Sequence, residues 1–129
     1  MREVPVVAPI PRQGHWVTMD DTKISVTIGD RRYVYIVPVG FITDFASVPR
    51  PLWWFISPTD KTVIKASLLH DYLYRTGSRT RKEADYLFYL KLLEDGTPRW
   101  KAWLMYQAVR VFGKRVWDRY RRHEDDTEE

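Results

Sequence analysis

Cysteine is missing from the 129 residues of the chain, so neither disulfides nor thiolate metal sites can hold the fold together. No apolar run approaches the ~20 residues that a membrane-spanning helix needs. Residues 1–13 also lack the continuous apolar stretch of a secretory signal. Hydrophobic residues nevertheless make up 44% of the chain, which is enough for a packed interior. We therefore expect a soluble protein, made inside the cell, with one hydrophobic core.

Acidic residues are scarce outside the end of the chain. Residues 124–129 carry five acidic groups and no basic one, whereas the preceding part carries 21 basic and 12 acidic residues. We interpret residues 1–123 as a single domain and 124–129 as a flexible acidic tail. The positive body is typical of proteins that approach nucleic acid, anionic lipid or acidic protein surfaces, and equally typical of a solvated basic face.

Short strands are predicted in the first third of the chain. Ile24–Ile28 alternates apolar and small polar residues, 29–32 is a turn, and Tyr33–Val37 returns as a second strand, which indicates a hairpin. Trp16–Met19 and Val39–Thr43 are further strand candidates. The first dozen residues contain three prolines, so we expect an extended arm there.

Helical periodicity begins near Thr59. Apolar residues at helical spacing predict a buried helix that ends near Arg75. Thr80 and Glu83 form a capping-box pattern, which predicts the start of a second helix ending near Glu94. The connection between these helices is short, so they should form an antiparallel hairpin.

A third helix is predicted from Thr97-Pro98, which supplies an N-cap and a first-turn proline. We expect this helix to break at Gly113 and a short basic helix to cover 114–123. The predicted fold class is therefore α+β, with a small antiparallel N-terminal β-sheet followed by three helices.

Four polar residues of the helix pair can form one cluster. His70 and Tyr74 are four residues apart and share a helix face, with Asp71 about a hundred degrees around the same turn. Asp85 lies as far after the centre of the connecting loop as His70 lies before it. The hairpin geometry therefore places Asp85 opposite His70.

This cluster has a chemical interpretation and a structural one. A neutral His70 can take a proton from water when Asp85 fixes its tautomer and Tyr74 donates to the same carboxylate. Asp71 would then be available to hold a hard cation such as calcium, the one cofactor that we expect. Alternatively, the same groups form a buried polar network that joins two helices without chemistry.

Three stretches carry a distinctive pattern: Gly40-Phe-Ile-Thr-Asp-Phe-Ala-Ser-Val-Pro-Arg50, Leu69-His-Asp-Tyr-Leu-Tyr-Arg-Thr-Gly77 and Arg81-Lys-Glu-Ala-Asp85. With Trp103-Leu-Met-Tyr and Val109-Arg-Val-Phe-Gly113, they resemble a family of uncharacterised proteins encoded by bacteriophages and prophages. The resemblance covers most of the chain. It implies a phage setting, with synthesis in the cytoplasm of a bacterial host, and it implies no activity.

The helix pair alone carries a second resemblance. His70-Asp71-x-x-Tyr74 with the later Asp85 is similar to the active-site helices of secreted calcium-dependent phospholipases and of parvovirus-capsid phospholipases. The resemblance implies that His70 activates water, Asp71 binds calcium, and Tyr74 and Asp85 brace the histidine. This chain departs from the pattern because no glycine-rich calcium loop precedes the helix. Calcium there needs backbone carbonyls, and Thr43-Asp44-Phe45 is a conjectural substitute for the loop.

Asp44 and Ser47 suggest another arrangement, a Ser-His-Asp triad of Ser47, His70 and Asp85. No nucleophile elbow surrounds Ser47, so we interpret Asp44 and Ser47 as turn residues that hydrogen-bond locally before Pro49. A His-Asp metal phosphohydrolase is a further alternative. It needs additional histidine ligands, and the two other histidines lie outside the predicted helical core.

Surface-binding candidates are Trp53, Trp54, Arg115 and Arg119. The two tryptophans, followed by Phe55, form either a membrane-interface or partner-binding patch or a cap on the core. Basic residues near the C-terminus either contact nucleic acid or phospholipid headgroups or form a solvated helix face, and we favour the solvated face. They are Arg110, Lys114, Arg115, Arg119, Arg121 and Arg122.

The sequence leaves three functional hypotheses open. The first is a phage-associated, metal-assisted ester hydrolase with a phospholipase-like site and a lipid or ester substrate. The second is a non-catalytic virion or tail-assembly component whose partners are other virion proteins. The third, supported only by charge, is a nucleic-acid-binding accessory protein.

Overall fold

A computed structural model describes Pro5 and residues 7–10, 15–43 and 61–127. Within these ranges the chain forms five strands followed by three helices, as the predicted α+β class requires. The elements are β1 (Val7–Ile10), β2 (His15–Thr18), β3 (Thr22–Ile28), β4 (Arg31–Val37), β5 (Ile42–Thr43), α1 (Ile64–Thr76), α2 (Arg81–Glu94) and α3 (Arg99–Thr127). Predictions at Asp44, Ser47, Trp53 and Trp54 lie outside the described residues.

The strands form two antiparallel sheets rather than one. β1, β2 and β5 form a three-stranded sheet in that order, and β3 and β4 form a separate hairpin. Part of the predicted N-terminal arm is therefore a strand, because Val7 to Ile10 pair with residues of β2. Of the candidate strand Val39–Thr43, Ile42 and Thr43 form β5 and pair with β2, while Gly40 and Phe41 make backbone hydrogen bonds to Thr18.

The predicted hairpin is confirmed, and its strands are longer than expected. The turn consists only of Gly29 and Asp30, and Gly29 adopts the positive φ of 64° that a two-residue hairpin turn favours. Alternate residues of the hairpin, Ile24, Val26 and Val37, are fully buried. They belong to the same core cluster as leucines of α1, so the hairpin lies against the helical layer.

The connection between α1 and α2 is defined by two local signals. Gly77 ends α1 in the left-handed conformation, at φ 67°, and its N–H donates to the Leu73 carbonyl. At the start of α2, the Thr80 hydroxyl accepts from the Glu83 N–H at 3.1 Å while the Glu83 carboxylate accepts from the Thr80 N–H at 3.1 Å. This reciprocal capping box confirms the predicted helix start.

The predicted helix break at Gly113 is wrong, because α3 runs without interruption from Arg99 to Thr127. Gly113 is buried, and a β-carbon at this position would collide with the Tyr74 phenol, lying 3.2 Å from its Cζ. The glycine is therefore explained by close packing of α3 on α1 rather than by helix termination. The flexibility expected of the acidic tail stays a prediction.

Two groups of buried side chains connect the layers. One lies among the β3–β4 hairpin, α1, α2 and the second half of α3, and the other lies among α1, α2 and the first half of α3. Together they fix the three helices around the polar cluster. Within the described ranges, no helix is both long enough and apolar enough to cross a membrane.

Candidate functional site

The Asp85 carboxylate lies at the centre of the predicted cluster. Its Oδ1 is 2.6 Å from His70 Nε2 and also accepts a hydrogen bond of 2.6 Å from the Tyr74 hydroxyl. The side chain of Asp85 is fully buried, and only 2% of His70 is exposed. The structure thus brings together His70, Tyr74 and Asp85 in the arrangement that hairpin geometry predicted.

Local helix geometry explains why the three groups converge. His70 and Tyr74, one helical turn apart on α1, stack with ring centroids 4.2 Å from each other. Phe88 of α2 also packs against the imidazole, with a centroid distance of 4.8 Å. The capping box fixes where α2 begins, and Asp85 follows within its first turn and a half. These contacts hold the imidazole in one orientation.

The charge state of Asp85 determines the tautomer of His70. Burial on its own raises the pKa of the Asp85 carboxyl, but hydrogen bonds from His70, Tyr74 and Arg110 outweigh it and hold the pKa below the ordinary 3.8. The ionised carboxylate can only accept hydrogen bonds, so His70 Nε2 must carry a proton. When the imidazole is neutral, its lone pair is therefore on Nδ1.

Tyr74 keeps its proton under all ordinary conditions. Burial and the adjacent Asp85 carboxylate raise the pKa of Tyr74 far above its ordinary value of 10.0. Its hydroxyl is thus a permanent donor to Asp85 Oδ1, as the sequence suggested. Tyr74 therefore positions the carboxylate as a neutral hydrogen-bond donor.

Sequence reasoning missed two arginines that complete the cluster. Arg110 of α3 donates from Nη1 to Asp85 Oδ2 at 2.7 Å, and Arg81 of α2 places its Nε 4.0 Å from the same oxygen. Arg81 also donates to the backbone carbonyls of Val109 and Arg110. The i, i+4 spacing of Arg81 and Asp85 was a usable signal. Arg110 is 25 residues from Asp85, and no local pattern indicated the pairing.

Asp71 lies on another side of α1 and is also buried. The Tyr120 hydroxyl of α3 donates to Asp71 Oδ1 at 3.4 Å. The sequence suggests that this carboxylate is available to a cation, whereas in the structure it contacts α3. Calcium takes six to eight oxygen ligands. Within the described ranges, no group of three or more acidic or histidine side chains could hold a metal. A site built from one carboxylate and backbone carbonyl oxygens is not tested by that finding, so calcium binding stays a prediction.

The basic residues of α3 divide into two sets. Arg115 and Arg119, the surface-binding candidates, are exposed, as expected of a solvated or ligand-binding face. Arg121 instead donates to the carbonyls of Tyr74 and Arg75 at 2.7 and 3.0 Å, where it caps the C-terminal end of α1. The prediction of one uniformly solvated face is therefore wrong for Arg110 and Arg121, since both cross to the helix pair.

Similar proteins support a family assignment without supplying an activity. An uncharacterised protein of Sinorhizobium fredii, y4jT, is 41% identical over 78 residues, which cover 60% of this chain and 23% of the relative. Another uncharacterised protein of that organism, y4iH, is 39% identical over 74 residues, covering 57% of this chain and 31% of the relative. The chain thus spans less than a third of either relative. No solved structure shows significant similarity to it. Because a family model matches residues 9–109, most of its length, the chain belongs to DUF1353, a family of proteins of unknown function.

Proposed function

We propose that this domain is an ester hydrolase in which His70 activates water. The observation that supports this role is the pair of hydrogen bonds on Asp85 Oδ1, one from His70 Nε2 and one from the Tyr74 hydroxyl. They orient the imidazole and leave the lone pair of neutral His70 on Nδ1, the nitrogen that can accept a proton from water. Asp85 then stabilises the positive charge that the imidazole gains.

The proposed substrate class follows from the resemblance of the helix pair to phospholipases, so a carboxylic ester of a lipid is the first candidate. Water attacks the ester carbonyl, His70 takes the proton of that water, and the same proton is returned to the leaving alcohol. No nucleophilic side chain is required.

We propose a phage or prophage setting on the sequence pattern, with synthesis in the host cytoplasm.

A paired substitution tests the proposal. The purified protein is assayed for hydrolysis of p-nitrophenyl esters and of phosphatidylglycerol vesicles, beside His70→Gln and the exposed control Tyr86→Phe. We expect His70→Gln to abolish hydrolysis while circular dichroism still reports a folded protein, and Tyr86→Phe to retain full activity. Absence of hydrolysis by the folded wild type on both substrates, in chelator and in calcium, contradicts the proposal.

Calcium dependence is a separate part of the proposal. Asp71 would contribute a carboxylate ligand, and the ion would polarise the ester carbonyl. Since a ligand that binds only the folded state raises the unfolding midpoint, thermal unfolding in calcium and in chelator measures binding directly. A calcium-dependent rise in the wild type that is lost in Asp71→Asn supports the metal-assisted version. Hydrolysis without such a rise would mean that His70 activates water without calcium.

A second candidate function is a non-catalytic virion or tail-assembly component, with the cluster as a structural network. The observation that favours it is the burial of His70, 2% exposed, together with the contact of Arg110 with the other oxygen of Asp85. Neutralisation of Asp85 by an arginine weakens its support of a protonated imidazole. A network that joins three helices is typical of a core that specifies helix register.

Virion association distinguishes this second candidate. Particles purified from an induced lysogen are probed with an antibody against the chain, before and after a salt wash. Retention of the chain in particles, combined with no hydrolysis by the folded protein, supports a structural component. Absence from particles and an active wild type support the hydrolase, because nothing in that reaction requires assembly.

A further inference from the structure

A small polar cavity lies where the β3–β4 hairpin meets α1 and α2. Its volume is about 140 Å³, and it is lined by Lys23, Ser25, Arg32, Lys65 and Lys91. We call it the basic cavity. None of these residues belongs to the His70 cluster, so the basic cavity is distinct from the site of the proposed hydrolysis.

The charges around the basic cavity are not balanced. Lys91 is nearly buried, and two carboxylates more than balance its charge, since its Nζ lies 2.7 Å from Glu94 and 3.2 Å from Asp95. Within the described ranges, no carboxylate pairs with the other three cations of the lining, which are Lys23, Arg32 and Lys65. Positive charges gathered in one concave site repel each other and raise the local concentration of anions. An anion in the basic cavity relieves that repulsion.

Among the described residues of the lining, Ser25 supplies a hydroxyl that is able to donate. Ser25 Oγ accepts a hydrogen bond of 3.1 Å from Arg32 Nη2. A hydroxyl that accepts in this way keeps its own proton available for another acceptor. Lys23 and Ser25 are two residues apart on β3, so strand alternation places both on the same face of the hairpin. The described residues of the lining thus offer cationic groups and a hydroxyl, the donors that an oxyanion requires.

We propose that the basic cavity binds the phosphate group of a small ligand, either inorganic phosphate or a phosphate monoester. A volume of about 140 Å³ accommodates a single phosphate group. The described residues of the lining are polar or charged, so they bind the phosphate group rather than an apolar organic part of the ligand. Recognition is therefore of the phosphate itself.

Thermal unfolding in inorganic phosphate, against chloride at matched ionic strength, tests this inference with the whole chain. A saturating ligand of the folded state should raise the wild-type midpoint by several degrees, on the order of 5 °C. Lys65→Ala and Lys23→Ala each remove one cation and should raise the apparent Kd by about tenfold. Lys82→Ala removes an equal charge from an exposed position of α2 outside the cavity and should match the wild type.

Two results overturn the inference: no rise beyond that in chloride, or an equal rise in the cavity variants and the wild type. Glycerol phosphate serves as a second probe to distinguish the two sources of the phosphate group. Binding at least as tight as that of inorganic phosphate assigns a monoester, and clearly weaker binding assigns the free ion. His70→Gln should leave the phosphate response unchanged, so failure of the proposed hydrolysis is separable from failure of this site.

Discussion

The α1–α2 hairpin and α3 contribute to the same buried carboxylate in different ways. Within the hairpin, His70, Tyr74 and Asp85 meet because helical spacing and a short capped connection bring them together. From α3, Arg110 reaches the opposite oxygen of that carboxylate, and Gly113 makes room for the Tyr74 phenol. The α1–α2 hairpin supplies the three residues of the cluster, and α3 supplies the arginine and the packing around them. Substitutions in the α1–α2 hairpin and in α3 therefore measure how much the stability of the cluster depends on each of these two regions.

Asp85→Ala should have the largest effect, because both parts converge on this carboxylate. It leaves the Tyr74 hydroxyl and His70 Nε2 without their acceptor and removes the partner of Arg110. Breaking a buried charged network from one side costs about 3–5 kcal/mol. Urea unfolding measures the loss. Asp118→Asn, which affects an exposed ion pair with Lys114, is the control and should unfold at the wild-type urea concentration.

Acid unfolding gives an independent check on the same carboxylate. Because the pKa of Asp85 is lower in the folded protein than its ordinary 3.8, its contribution to stability is complete above that value. The contribution is lost as pH falls from about 3.8 toward the lower folded pKa. The wild type should therefore lose stability in this window more steeply than Asp85→Asn. Parallel acid curves would show that the network does not depend on ionised Asp85.

Gly113→Ala tests how much the cluster depends on the packing of α3. The expected change in stability is opposite to the change that helix propensity alone predicts. In an exposed helix interior, alanine is favoured over glycine by about 1 kcal/mol. Here the added methyl group would meet the fully buried Tyr74 phenol, and overpacking of this kind costs about 1–3 kcal/mol. We expect a net loss in urea unfolding. Adding Tyr74→Phe removes the hydroxyl nearest the methyl group and should reduce the cost of Gly113→Ala in that background.

Arg110→Met should have a smaller effect, because Arg110 is one-third exposed and Arg81 remains near Asp85. We expect a loss of about 1.5 kcal/mol, the lower end of the range for a hydrogen bond to a charged group. Arg115→Met on the exposed face is the matched control. If the domain is a hydrolase, Arg110→Met should also raise activity, since Asp85 then supports a protonated His70 more strongly. Unchanged activity would show that Arg110 does not affect the protonation of His70 through Asp85.

The difference between the two parts also explains which features could be predicted from the sequence. The β3–β4 hairpin, the capping box at Thr80 and the His70–Asp85 contact all depend on residues separated by few positions, or by one short turn. Local periodicity and turn chemistry carry that information. Gly113 has the same local pattern as a helix stop, and only its contact with Tyr74 identifies it as a packing glycine. Arg110 likewise has the local pattern of a solvated face, and only its contact with the distant Asp85 identifies its role.

Thr80→Ala should have the smallest effect of these substitutions and tests the hairpin alone. It removes the hydroxyl that accepts from the Glu83 N–H, and loss of such a cap costs about 1 kcal/mol. Ser78→Ala, in the same exposed connection but outside the capping box, should cost less in the same urea titration. Because α1 and α3 still hold α2 from both sides, the near-ultraviolet circular dichroism of Thr80→Ala should match the wild type. A loss larger than that of Gly113→Ala would mean that the cap, rather than packing of α3, holds Asp85 opposite His70.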